Sequence, residues 1–107
     1  LPIGYQMDSQ ITERTKMRKE IKEAFKYGAI DSVQAWDMDH GYAHFLTQDF
    51  DIFAVETEMG RKGFKTFDGA FNQFMKMSKG FEIDIVLMDS LETVDIDTFI
   101  ATVSQEK

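Results

Sequence analysis

Phe64-Lys-Thr-Phe-Asp-Gly-Ala-Phe-Asn-Gln-Phe-Met-Lys-Met-Ser-Lys-Gly-Phe-Glu-Ile-Asp-Ile-Val-Leu-Met88 decides the fold, because its hydrophobic period changes halfway. Phe67, Ala70, Phe71, Phe74 and Ser78 recur at three- and four-residue steps, with Met75 alongside, which is the stripe of an amphipathic helix. Asp68 is placed to cap that helix or to favour its positive end, and Gly80 to end it. From Phe81 the period is two. Phe81, Ile83, Ile85 and Leu87 point one way and Glu82 and Asp84 the other, followed on that side by Val86 and Met88. A strand whose second half is apolar on both faces belongs inside a sheet.

Upstream, residues 30–38 and 42–48 read as a hairpin around Asp39-His40-Gly41, with Gly41 supplying a positive φ. Two registers fit the sequence. A three-residue loop pairs Met38 with Tyr42 and Trp36 with His44; a two-residue loop pairs Asp37 with His44 and Trp36 with Phe45. A third strand is expected from Phe50 to Thr57, then a turn over Glu58–Gly63 and a short fourth strand at Phe64–Thr66. Residues 8–27 read as a helix capped by Asp8 or Ser9, with a narrow stripe of Met17, Ile21, Ala24 and Phe25, and Gly28 at its end. Downstream, Ile96, Phe99, Ile100 and Val103 resume the helical period behind a candidate cap at Asp95, and Ser90–Val94 is a connection of undefined form.

These readings give one α+β domain over residues 1–107: a mainly antiparallel sheet of four or five strands with helices, in the order α-β-β-β-β-α-β-α. Residues 1–7, with Leu1-Pro2-Ile3-Gly4-Tyr5-Gln6 ahead of Met7, read as a leader or vector-derived extension. A chain of 107 residues supports a single core. Eight of the ten Phe fall between Phe45 and Phe81, which concentrates that core in the middle of the sequence. The absence of Cys excludes disulfides, thiolate metal sites and a Cys nucleophile. No apolar run approaches the roughly 18 residues of a membrane helix. The expectation is a cytoplasmic protein with no membrane partner.

The net charge of −7 is unevenly laid out. Residues 28–59 carry seven acids and no Lys or Arg, and residues 81–107 carry seven acids and one Lys; residues 60–80 carry five Lys/Arg against one acid. A field of this sign repels phosphate, so direct nucleic-acid binding is not expected. The basic residues of the first helix are diluted by Glu13, Glu20 and Glu23, as on a solvated surface helix.

The densest polar cluster is Asp37-Met-Asp-His-Gly-Tyr-Ala-His44, followed by Asp49 and Asp51. Asp37, Asp39, His40 and His44 are of types that hold Zn or Mn, but their spacing matches neither a helical His pair nor a calcium loop. Turn chemistry explains them more simply, and no metal or cofactor is assigned. Gly60-Arg-Lys-Gly-Phe-Lys-Thr66 has two residues between its glycines where a phosphate loop needs four, so it reads as a turn. None of the serines lies in a nucleophile-elbow pattern.

The leading functional expectation is a small non-catalytic binding protein acting as a homodimer, because both faces of strands 50–57 and 81–88 are apolar while the helices offer limited cover. A second reading is a small-molecule-binding protein or minor enzyme with its pocket near Trp36, Tyr42 and His44. A third is an acidic nucleic-acid mimic that occupies a basic protein through a face built on Asp31, Asp37, Asp39, Asp49 and Asp51.

Overall fold

A computed structural model describes residues 16–105; the leader and the first half of the helix expected at 8–27, with its Asp8 or Ser9 cap, lie outside the described residues. The described part of that helix, α1, covers residues 16–26. Four strands follow: β1 (Ile30–Asp37), β2 (Tyr42–Asp49), β3 (Ile52–Thr57) and β4 (Gly60–Phe64). Then come α2 (Phe67–Met77), β5 (Glu82–Leu87), β6 (Thr93–Asp95) and α3 (Ile96–Gln105). This is the expected α+β domain with one strand more than foreseen. The connection at Ser90–Val94 contains β6, whose three residues are too few to show a period of two.

The six strands form one sheet in the order β4-β3-β2-β1-β5-β6, with every neighbouring pair antiparallel. β1 to β4 make a meander. The chain then leaves at one edge and returns beside β1, four strand spacings away, or roughly 19 Å. The 11 residues of α2 rise roughly 16 Å, so the helix supplies most of that traverse.

Paired residues share a face, so the register assigns each side chain. Val33, Leu46, Val55 and Ile85 lie on one face, with Phe53, Ile83 and Val94. α2 lays Phe67, Ala70, Phe71 and Phe74 on this face, all buried, with Phe74 fully so. Ile21, Ala24 and Phe25 of α1 and Phe99 of α3 join the same cluster. Phe25 meets Phe53 edge-on at 5.8 Å between ring centres, and Phe53 meets Phe67 at 5.5 Å. Truncating a ring such as Phe74 to Ala typically costs about 3–5 kcal/mol.

The caps follow local chemistry. Thr66 caps α2, its hydroxyl accepting the Gly69 N–H at 3.1 Å, while Asp68 sits in the first turn and favours the positive end. Asp95 caps α3 as expected, accepting from the Thr98 N–H and hydroxyl at 3.1 and 2.6 Å. Gly28 (φ +70°) and Gly80 (φ +83°) follow α1 and α2 in the left-handed region that L side chains avoid.

Three boundaries correct the sequence reading. Neither hairpin register holds: Asp37 pairs with Tyr42 and Ala35 with His44, leaving a four-residue turn, Met38-Asp39-His40-Gly41. Asp37 causes this, because its carboxylate accepts the N–H groups of Asp39 and His40 at 3.0 and 3.3 Å and closes the wider turn. β4 starts at Gly60 rather than Phe64, since Glu58 and Met59 alone make the turn between paired Thr57 and Gly60. Phe50 belongs to no strand; it stands in the turn between paired Asp49 and Ile52, 91% exposed at φ +57°.

That turn yields a test. An L residue in the left-handed region costs about 1–2 kcal/mol, and Phe50 packs little in return. Phe50→Gly is expected to stabilise the fold by about 0.5–1 kcal/mol after the entropy that Gly adds to the unfolded chain. Urea unfolding measures this, and an unchanged or lower midpoint would contradict it.

Candidate functional site

The side chains singled out from the sequence are dispersed by the sheet. His44 is on the helix-covered face of β2 and is buried. Trp36 is on the opposite face, its ring edge-on to Phe45 at 6.5 Å and its indole N–H donating to Gln34 at 3.2 Å. Tyr42 is exposed and stacks on His40 at 5.9 Å. Trp36, Tyr42 and His44 therefore do not line one pocket. Asp37 and Asp39 stand at one end of the β1–β2 ladder, and Asp31, Asp49 and Asp51 at the other, so these five acids do not form one continuous face.

Asp37 is a turn residue. Its second oxygen meets His40 Nδ1 at 2.8 Å. Partial desolvation raises its carboxyl, but the hydrogen bonds from His40 and the Asp39 N–H outweigh this and hold it below the ordinary value. Among the described residues, no three His, Asp or Glu side chains converge as a metal site would require. Asp49 is within 3.7 Å of Arg61, both more than half exposed, a pairing of small energetic weight.

A polar chain that the sequence reading did not assemble runs from buried Ser78 and His44 out to Glu58, whose side chain is 40% exposed. His44 Nδ1 lies 3.0 Å from Ser78 Oγ, and His44 Nε2 hydrogen-bonds Glu58 Oε2. β2 contributes the imidazole, the end of α2 the hydroxyl and the β3–β4 turn the carboxylate. Phe81 covers the ring at 4.8 Å. Glu58 is held below the ordinary glutamate value of 4.5, first by its own backbone N–H and then by the His44 ring. An ionised carboxylate only accepts, so Nε2 carries the proton it shares with Glu58. In the neutral ring, Nδ1 then accepts the Ser78 O–H.

One signal pointed to this chain. Ser78 continues the apolar stripe of α2, and a polar group on a buried stripe needs a partner. Glu58 carried no such signal, since its reach to His44 depends on where the β3–β4 turn falls.

Serine, imidazole and carboxylate follow one another as in a nucleophilic triad, but with the two ring nitrogens exchanged. Two features oppose that chemistry. Ser78 is 2% exposed, and it caps the C-terminal end of α2, where the helix dipole is negative and disfavours a developing oxyanion. The chain acts as a strut joining sheet, helix and turn. Beside it, a cleft of about 510 Å³ opens between α1, α2 and the start of β5, with Ser78 and Phe81 in its wall.

The sheet face away from the helices forms the other distinctive surface. Trp36 and Phe45 stand half-buried at its centre and Ile52 is 49% exposed, while the smaller Ser32, Ala54 and Val86 are buried. One row across it reads Asp95, Asp84, Gln34, Phe45, Glu56, Arg61. Desolvation raises the Asp84 carboxyl above its ordinary value, and the charges of Glu82 and Asp95 push it further.

Two expectations follow. Ser78→Ala deprives buried His44 of one partner and is expected to cost about 1–3 kcal/mol in urea unfolding, with little loss if the bond is dispensable. Asp84 behaves in the opposite sense to Glu58. A carboxyl whose folded value is raised holds its proton longer in the native state, so its stability contribution falls as pH rises through the ordinary range to that folded value. Asp84→Asn is therefore expected to raise the melting temperature at neutral pH, with the gain vanishing in acid below the ordinary carboxylate range; an equal gain at every pH would count against the charge argument.

No protein-family model matches the chain, and no curated protein or solved structure is significantly similar to it.

Proposed function

We propose that the protein is a binding module that associates with a second copy of itself through the sheet face opposite the described helices. One observation carries this reading: the described helices all add to the cluster on one face, while the other presents the edge-on Trp36–Phe45 pair on the two central strands, with Ile52 further along β3 beyond the Thr47–Ala54 pair. Two large aromatic rings left half-buried at the centre of a sheet face suit an interaction site.

The layout of the face suits a two-fold pairing. β2 and β1 are the two central strands of the six. A two-fold axis parallel to the strands brings the Trp36 and Phe45 pairs of two copies together at the centre. The same operation sets Arg61, at the β4 edge, against Asp95 at the β6 edge of the other copy, twice over. Two sheets stacked this way pack about 10 Å apart with strands within about 30° of each other. Six strands span roughly 24 Å between outer axes and run roughly 20 Å in length, about 500 Å² of footprint per copy. That is near the lower bound of about 1,000 Å² in total for a specific interface. A micromolar dissociation constant is the corresponding expectation.

Light scattering and sedimentation from about 1 to 100 μM test the proposal. The expected result is a mass rising from 12.4 kDa toward twice that value with concentration. Phe45→Glu should hold the protein monomeric without unfolding it, since Phe45 lies outside the main cluster, and Arg61→Glu should weaken the dimer about tenfold. A mass fixed at 12.4 kDa across this range would overturn the reading.

A further inference from the structure

The cleft between α1, α2 and β5 differs in character from the rest of this acidic chain. Its floor is apolar: Phe71 and Met75 from α2, Phe81 and Ile83 from the entry to β5. Its polar wall is cationic, with Arg18 from α1, Lys76 from the end of α2 and Lys79 just beyond it, and among the described residues no Asp or Glu lines it. Among the described residues, none of these three cations has a carboxylate within ion-pair distance. Three positive charges gathered around a concave apolar surface, in a molecule of net charge −7, form a local field opposite to the whole.

Arg18 is also held in place. Its Nη2 donates to Asn72 Oδ1 at 2.8 Å, and its guanidinium carbon stands 5.5 Å from the centre of the Phe71 ring. A guanidinium carries five N–H donors, and the Asn72 contact occupies one of them. The planar group is thus fixed at the boundary between floor and rim, the geometry in which Arg takes a carboxylate in bidentate fashion. A helix C-terminus also draws lysines through its dipole, which accounts for Lys76 and Lys79 but not for Arg18 on another helix.

We infer that this cleft is a binding site for a small amphiphilic carboxylate, its acid group on Arg18 with Lys76 and Lys79 nearby, and its hydrocarbon or aromatic body on Phe71, Met75 and Phe81. The volume, about 510 Å³, lies within the range of small-ligand pockets and admits a molecule of medium-chain fatty-acid size. The apolar body supplies sequence-independent burial, and the single fixed guanidinium selects charge and orientation. The site is on the helical side of the sheet, so it is independent of the self-association surface.

Fluorescence titration with 8-anilinonaphthalene-1-sulfonate, an anion with an apolar body, tests the inference, followed by competition with decanoate, decylamine and decanol. Saturable one-to-one binding is expected, displaced by decanoate and at least about tenfold less well by decylamine or decanol. Arg18→Ala should weaken decanoate about tenfold or more, and the exposed change Lys79→Ala should weaken it by a smaller factor. Lys65→Ala, an exposed cation outside the cleft, should leave it unchanged. Amide shifts on adding decanoate should centre on Met75 and Phe81, a readout that does not depend on the variants folding. Equal competition by the amine, unchanged affinity in both cleft variants, or shifts centred on Trp36 and Phe45 would overturn the assignment. Binding to anionic phospholipid vesicles without binding to monomeric decanoate would also overturn it, in favour of a membrane surface.

Discussion

The structure depends on a return path. After four antiparallel strands the chain stands at the β4 edge, and the place left for β5 is beside β1 on the far side of β2 and β3. Only a segment crossing the sheet connects them, and α2 does this with Phe67, Ala70, Phe71 and Phe74 turned inward. The crossing commits one face of the sheet to the helix. α1 packs beside α2, and α3 lies over β5 and β6, in the same cluster, because apolar surface already collected there is the best site for more. Asymmetry between the two faces follows from connectivity before any question of function arises.

The Ser78–His44–Glu58 chain sits where this crossing ends. Ser78 closes α2, His44 rises from β2 beneath it, and Glu58 comes from the turn that starts β4. A hydrophobic contact between these segments would tolerate small slips in register or helix phase. Hydrogen bonds at both ring nitrogens do not, since a shift of one residue on β2 turns His44 to the other face. The chain fixes how far α2 runs and where β5 begins, and so sets the shape of the cleft that Ser78 and Phe81 help to wall.

Much of this architecture was legible in the sequence where one period ran long enough to be read. The stripe of α2, including Ser78, is matched by burial, and the burial of both Ile85 and Val86 matches the reading of β5 as a strand inside the sheet. The failures were local and have physical causes. Asp37 widens a turn that Gly41 alone left open to two registers. Phe50 looks like strand but occupies a turn at positive φ. β6 is shorter than a period can reveal. Contacts between elements were beyond reach for another reason: nothing local to Glu58 or Arg18 names His44 or Asn72 as a partner, because the pairings exist only once distant segments are stacked.

The two edge strands carry a further consequence, for solubility. β4 bears Arg61 and Lys62 between two glycines, and β6 offers only Thr93 to Asp95. A charged, glycine-flanked edge and a three-residue edge are poor templates for another chain's backbone. Growth of the sheet sideways, the route to fibres, is disfavoured at both margins. In an acidic chain rich in Phe, the margins of the sheet thus work against edge-to-edge polymerisation.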